Sequence, residues 1–257
     1  MSGRRLVAGP GRPSGGSGPR NGHDPGSGHG PGDGRGLPRA GGIVLAAHGT
    51  RDPRGEEVTR LIAAGVPGAR LGFLEISSPS LASVLDLAPG PAVVVPLLLG
   101  GGYHAHVDIP AVVAGRARVA PPLGPHPLLA EALAGRLAAH DPGPGDAVVL
   151  GAAGSSDPAG LAAARAMARL LAVRLSRPVT VGFGAAAAPS VERAVARARA
   201  RGARRVIVAA HLLAPGHFHD RLRASGADEV TEPLGPHPAV LALVRHRARV
   251  PSPAPAA

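Results

Sequence analysis

Short apolar runs alternate along most of this chain with stretches in which apolar positions recur every third or fourth residue. Residues 43–47 form a continuous apolar run ending at His48-Gly49, the pattern of a strand buried on both faces. A helix is predicted over residues 56–64, after Pro53 and Arg54, with acidic residues in its first turn. Residues 69–74 read as a second strand, 80–87 as a second helix, and 92–99 as the strongest strand, ending in Gly100-Gly101-Gly102. Asp108 is expected to cap a third helix with Pro110 in its first turn. A strand over 116–120, a helix over 128–139 and a linker over 140–145 follow. The order then returns, with strands near 147–150, 179–182, 205–210 and 229–231 and helices near 159–175, 191–201, 219–225 and 238–247. Strands alternating with helices imply parallel sheets covered on both faces. The expected fold is α/β: two similar domains, each a four-stranded parallel sheet flanked by helices, with a cleft between them.

The return is also literal. PLGPHP stands at residues 122–127 and again at 233–238. GFLEISSPSL (72–81) aligns with GFGAAAAPSV (182–191), and AAHGTRDP (46–53) with AAGSSDP (152–158). The offset drifts only from about 105 to about 114 residues, a duplicated domain rather than a solenoid, whose repeats run roughly 20–50. The boundaries that follow are 42–140 for the first copy and 146–250 for the second. Residues 1–41, rich in Gly, Pro, Ser and Arg, have almost nothing to bury and are expected to be disordered, as is the tail 251–257. His23 and His29 in the first segment belong to a solvated spacer.

Composition narrows the function. Hydrophobic residues make up 44% of the 257, enough for a core, but aromatic residues only 2%. Nucleic-acid binders use aromatic platforms or a compact basic face, so none is expected as a partner. The formal charge of +11 is carried wholly by Arg, with no Lys. Uniform Arg with abundant Ala, Gly and Pro looks like GC-rich coding, which weakens arguments from pI, although a positive cleft still attracts polyanions. No Cys is present, which removes disulfides, thiolate zinc sites and Cys nucleophiles. No apolar run approaches the roughly 18 residues of a membrane span, and no signal-peptide core follows Arg4-Arg5. A cytoplasmic protein without a membrane partner is expected.

The copies differ where chemistry is expected. Ligands of open parallel sheets gather beyond the carboxyl ends of the strands. His48 follows the first strand, Glu75 the second, and His104 lies in the Gly-rich loop after the third; the second copy carries Ala153, Ala185 and Phe218 there. Each residue alone has a structural explanation, His48 as a backbone partner, Glu75 as a helix N-terminal acid and His104 as a solvated loop residue. Together, and missing from the sister copy, they read as a metal site. Two imidazoles and a carboxylate suit Fe²⁺, Co²⁺ or Ni²⁺ and leave open positions, as a reactive site needs. Arg51 and Arg54 are placed to pair with substrate carboxylates, and Tyr103, the only Tyr, to line the cleft. His106 is a candidate for metal delivery. His211, His217 and His219 form a second cluster, for which a second metal site is one reading. His126 and His237, equivalent in the two PLGPHP motifs, read as turn residues before a helix. Neither GxGxxG nor GxxxxGK[ST] occurs, so no nucleotide is expected.

AAHGTRDPR (46–54), GFLE with PSL (72–81) and PLLLGGGYHAHVDIP (96–110) resemble the sirohydrochlorin chelatases of the class II, ATP-independent chelatase group. The likeness runs from about residue 43 to 247, and the halved form with a degenerate second copy is similar to that family's long members. The resemblance implies insertion of Co²⁺ or Fe²⁺, the metal substrate, into a tetrapyrrole bearing eight carboxylates, on the route to cobalamin or sirohaem. It implies that His48 and His104 are metal-binding and catalytic and that Glu75 is their acidic partner. Internal duplication implies a monomer in place of a dimer of half-length chains. A non-catalytic tetrapyrrole or metal carrier is the alternative. A plain two-lobed ligand sensor is a weaker one. A histidine phosphatase would need Arg directly before its nucleophilic His, and Ala47 stands there.

Overall fold

The computed structural model describes residues 42–102 and 104–249. The disorder expected of residues 1–41 and 251–257, and the role expected of Tyr103, lie outside the described residues. The first copy runs β1 (Ile43–Ala47), α1 (Pro53–Ala64), β2 (Ala69–Phe73), α2 (Leu81–Asp86), β3 (Ala92–Pro96), a π-helical turn (His104–Asp108), α3 (Ile109–Val113), β4 (Ala117–Val119) and α4 (Pro127–Ala138). The second runs β5 (Ala147–Ala152), α5 (Pro158–Leu175), β6 (Val179–Phe183), α6 (Val191–Ala200), β7 (Val206–His211), α7 (His217–Arg223), β8 (Glu229–Val230) and α8 (Pro238–Arg249). Every pairing is parallel, and the strand orders, β2-β1-β3-β4 and β6-β5-β7-β8, are the same.

Local chemistry explains the element ends. Asp52 and Asp157 cap α1 and α5 through their carboxylates, each followed by Pro in the first turn. Ser80 and Ser190 cap α2 and α6 through their hydroxyls, which accept from Ser83 N and Arg193 N. Two expectations need correction. Asp108 does not cap α3: its own backbone is helical and its side chain makes no capping bond, because the π-helical turn runs directly into the helix. The third strand ends at Pro96, not at Leu99, with one further bond to β1 from Leu97 N–H to Ala46 O at 2.8 Å.

One apolar core serves both sheets. The strands alternate, so Leu45, Ala47 and Val95 face one side and Val44, Ala46 and Val94 the other. The first set joins Ile62 of α1 and Leu129, Leu133 and Leu137 of α4. That cluster continues without a break into Met167 and Leu171 of α5, Val240 and Leu243 of α8, and Leu150 and Ile207 of the second sheet. The outer faces are covered separately, by α2 and α3 in the first copy and by α6 and α7 in the second. The halves therefore share a central helical layer, and the opening between them lies at the carboxyl edges of the sheets.

The PLGPHP motifs build this junction. His126 and His237 accept the backbone N–H of Leu128 and Ala239 on Nδ1, each at 3.2 Å, at the starts of α4 and α8. Each motif also receives an arginine from the other half. Arg136 donates to Leu234 O at 2.9 Å and Arg247 to Leu123 O at 3.1 Å. The His237 ring fits against Gly135, and the His126 ring lies 5.6 Å from that of His246. Both histidines are structural, as expected from their equivalence. The linker is clamped by Arg205, which bonds Asp146 at 2.8 Å and the carbonyls of His140 and Asp141, each at 3.0 Å.

A shared core predicts one unfolding transition. Leu133→Ala empties a fully buried position in that core and should cost about 2–5 kcal/mol. Urea titration followed by circular dichroism should show a single transition with a lowered midpoint; two separated transitions would contradict the shared core.

Candidate metal centre

In each sheet the first strand of the copy is flanked by the second and third, so the strand order reverses between β1 and β3. A crevice opens beyond the carboxyl ends at such a switch point. His48 stands at the end of β1, and His104 opens the π-helical turn after β3. The His104 side chain is outside the described structure. Among the described residues no three His, Cys, Asp or Glu side chains form a group that could hold a metal ion, so the described part of the expected triad is His48 and Glu75.

These two are brought together by backbone. Glu75 donates its N–H to His48 O at 3.0 Å, prolonging the β1–β2 ladder past the strand ends. Gly49 then turns away with φ of 100°, and a Cβ there would lie 2.0 Å from Glu75 O. Only Gly combines this left-handed backbone with so close an approach. Ser77 binds the same crossing from the other side. Its hydroxyl accepts from Thr50 N and donates to Thr50 O, both at 3.2 Å. Arg60 pairs with Glu56 at 2.6 Å and reaches Ser78 O at 2.9 Å, tying α1 to the same loop. The Arg60 guanidinium, and after it the Ser77 hydroxyl, hold the Glu56 carboxyl below its usual range. The second copy repeats the turn, with Gly154 at φ of 99° against Ala185 O, but has Ala187 in place of Ser77. Ser77 escaped the sequence reading, although its signal was present: the run of alanines opposite GFLEISS removed Ser77 as well as Glu75.

His48 lines a cavity of about 150 Å³ with Thr50 and Thr59, floored by Ile62, Phe73 and Leu97. This is room for a few waters or one hydrated ion. Its far wall is Leu213, Ala214 and Pro215 of the second copy. Gly55 in α1 is tight against Pro215 O, where a Cβ would stand at 2.7 Å. On the other side the loop after β3 meets the start of α5, with Gly100 and Gly101 against Ala163 and Gly160.

The arginines separate. Arg54 is committed, bonded to Asp52 at 2.7 Å and to Asp220 of the second copy at 3.2 Å, and these carboxylates push its pKa up. It braces one copy against the other. Arg51 is exposed, and no hydrogen bond or ion pair engages it among the described residues. His106 is exposed in the π-helical turn, with Nε2 packed against Gly101.

The second histidine cluster does not converge. His219 is buried, with Nε2 3.1 Å from Thr231 O. His217 is exposed, its ring 5.4 Å from that of Phe218. Phe218, at the place of His104 in the repeat, is part-exposed and lies against Gly184 just past β6. His211 replaces Leu97 in the repeat and is buried at the end of β7.

Two copies of one parallel α/β sheet, joined through one core and open at their carboxyl edges, define an internally duplicated α/β protein with His48 and Glu75 at the switch point of the first copy. The CbiX family model matches residues 42–140 and again residues 147–250. The chain belongs to the CbiX family. Its fold is similar to that of SirB from Bacillus subtilis with Fe³⁺, with a TM-score of 0.71 at 21% identity over 82% of this chain and 94% of that one. SirB from Bacillus subtilis subspecies spizizenii in complex with cobalt gives 0.67 at 21% identity, over the same shares. CbiX, the terminal enzyme for biosynthesis of siroheme in denitrifying bacteria, gives 0.60 at 22% identity, over 80% of this chain and 97% of that one. No curated protein sequence matches the chain. No helix among the described residues is long and apolar enough to cross a membrane.

Two outcomes follow. Gly49→Ala forces a Cβ into Glu75 O at a positive φ and should destabilise the chain by more than ~1 kcal/mol, with a lowered melting temperature. Burial pushes the pKa of His211 down to about 4, whereas an unfolded chain binds that proton near 6.5. The stability contributed by its neutral form is therefore complete above about 6.5 and is lost as pH falls toward 4. His211→Leu, which restores the residue of the first copy, should flatten the denaturation midpoint between those pH values; an unchanged pH slope would refute the assignment.

Proposed function

We propose that this chain inserts a divalent metal, Co²⁺ or Fe²⁺, into sirohydrochlorin without ATP. The observation that carries the reading is membership of the CbiX family across both copies, combined with a His48-lined, ion-sized cavity at the switch point of the first. Insertion requires loss of two pyrrole N–H protons and bending of the ring so that its nitrogens face the metal. His48 and His104 hold the incoming ion, and a neutral imidazole takes a pyrrole proton near pH 7. Glu75, held one hydrogen bond from His48, completes the coordination or passes the proton outward. The second copy supplies the far wall, so one chain carries the whole site. Arg51 meets a substrate carboxylate at the rim, while Arg54 keeps the walls in register through Asp220.

His48→Ala and His104→Ala should each lower metal insertion at least ~100-fold, the usual contribution of a positioned base. Insertion is followed by the absorbance change on adding Co²⁺ or Fe²⁺ to sirohydrochlorin over many turnovers. Near-wild-type insertion by both variants would overturn the residue assignment. A wild-type chain that binds metal yet never exceeds the spontaneous rate would be a carrier.

A further inference from the structure

The second copy has Ala153, Ala185 and Phe218 where the first has His48, Glu75 and His104, and it carries a large groove of its own. It runs along the outer edge of β6, between the end of α5 and the last turns of α6, with a volume of about 880 Å³. Such a volume lies at the upper end of the roughly 300–1,000 Å³ typical of small-molecule sites.

The repeat explains why the groove is there. In the first copy Arg70 of β2 spans the equivalent gap and donates to Leu87 O at the end of α2, at 2.5 Å. In the second copy Thr180 stands at the place of Arg70, too short to cross, and Ala194 replaces Val84 beneath it. The floor left open is apolar, with Val148 and Val181 prominent.

Its rim is positive. Arg177, Arg197 and Arg201 all line the groove. Arg177 is fixed by a bond from Nη2 to Gly143 O at 2.8 Å, and its Nη1 is buried beneath the rim. Arg197 and Arg201 stand one turn apart at the end of α6, and no hydrogen bond or ion pair engages either guanidinium among the described residues. Like charges so spaced repel. The acid in the lining, Asp146, is already taken by Arg205 at 2.8 Å. A concave surface lined by one sign of charge concentrates oppositely charged ligands, and each guanidinium fork matches a carboxylate or phosphate.

We propose that this groove binds an organic polyanion with an apolar body, the class to which a polycarboxylate tetrapyrrole belongs. The apolar floor takes the ring face, the Arg197 and Arg201 guanidinium groups take acid groups at the rim, and Arg177 adds positive charge beside them. The groove is a second tetrapyrrole site in the copy that carries no metal residues, and it rests on the proposed function only for the choice of ring.

The test uses the metal-free full-length chain titrated with uroporphyrin, a fluorescent octacarboxylate, by equilibrium dialysis. The wild type should bind two equivalents. The double variant Arg197→Glu/Arg201→Glu should weaken one of them at least about a hundredfold, about tenfold for each guanidinium–carboxylate hydrogen bond removed. Thr180→Arg, which restores the strut of the first copy, should remove the same equivalent by closing the groove. Both variants should insert metal at the wild-type rate with saturating sirohydrochlorin. A wild type that binds a single equivalent, unaffected by either variant, overturns the proposal, and so does binding of ATP but not uroporphyrin at the positions these variants disturb. Loss of one equivalent in both variants, with a wild type that never inserts metal, upholds the groove and refutes the proposed function.

Discussion

Two four-stranded sheets rest on one layer of helices, and burying the inner faces of both against that layer is the constraint from which the other features descend. Leu45 and Val95 of the first sheet and Leu150 and Ile207 of the second belong to the same apolar cluster as α4, α5 and α8. Apolar burial is non-directional, so it does not by itself orient one copy against the other. Orientation comes from the reciprocal arginines, each reaching a carbonyl of the opposite PLGPHP motif. With the halves held so, the carboxyl edges meet: the loop after β1 faces the loop after β7, and the loop after β3 faces the loop after β5. The cavity beside His48 exists because Leu213, Ala214 and Pro215 of the second copy close it.

Duplication let the copies diverge in function while keeping the scaffold. Both retain the left-handed glycine over a backbone carbonyl, the Asp and Ser caps and the histidine-capped last helix, because each satisfies backbone geometry. The first copy adds polar groups at its strand ends and uses Ser77 to tie the loop after β2 to Thr50 in the loop after β1. The second has Phe218 at the place of His104, buries a histidine where the first has Leu97, and opens a basic groove where the first has an arginine strut.

The basic composition takes on a clearer meaning in the structure. Many of the arginines are struts: Arg136, Arg205 and Arg247 bond carbonyls across loops or copies, and Arg54 joins Asp52 to Asp220. A guanidinium offers five N–H donors in a planar fork, which suits a chain with no Lys and few aromatic residues for cross-linking its parts. Part of the charge that has no such partner is gathered at one groove.

Element order and type were legible in the sequence because burial on both faces writes continuous apolar runs, and capping writes Asp-Pro and Ser at helix starts. Alignment of the copies marked His48, Glu75 and His104 as residues the scaffold does not need, since Ala and Phe serve at the equivalent places. The π-helical turn was not legible: a hydrogen bond lengthened by one residue leaves no mark in hydrophobic spacing, so Asp108 read as a cap. Nor were the commitment of Arg54 to Asp220, 166 residues away, the wall that the second copy lends to the His48 cavity, and the groove beside β6. Each depends on which surfaces the shared core brings together. Sequence determines what a side chain can donate or accept; packing decides which partner it meets and which charge is left facing an open groove.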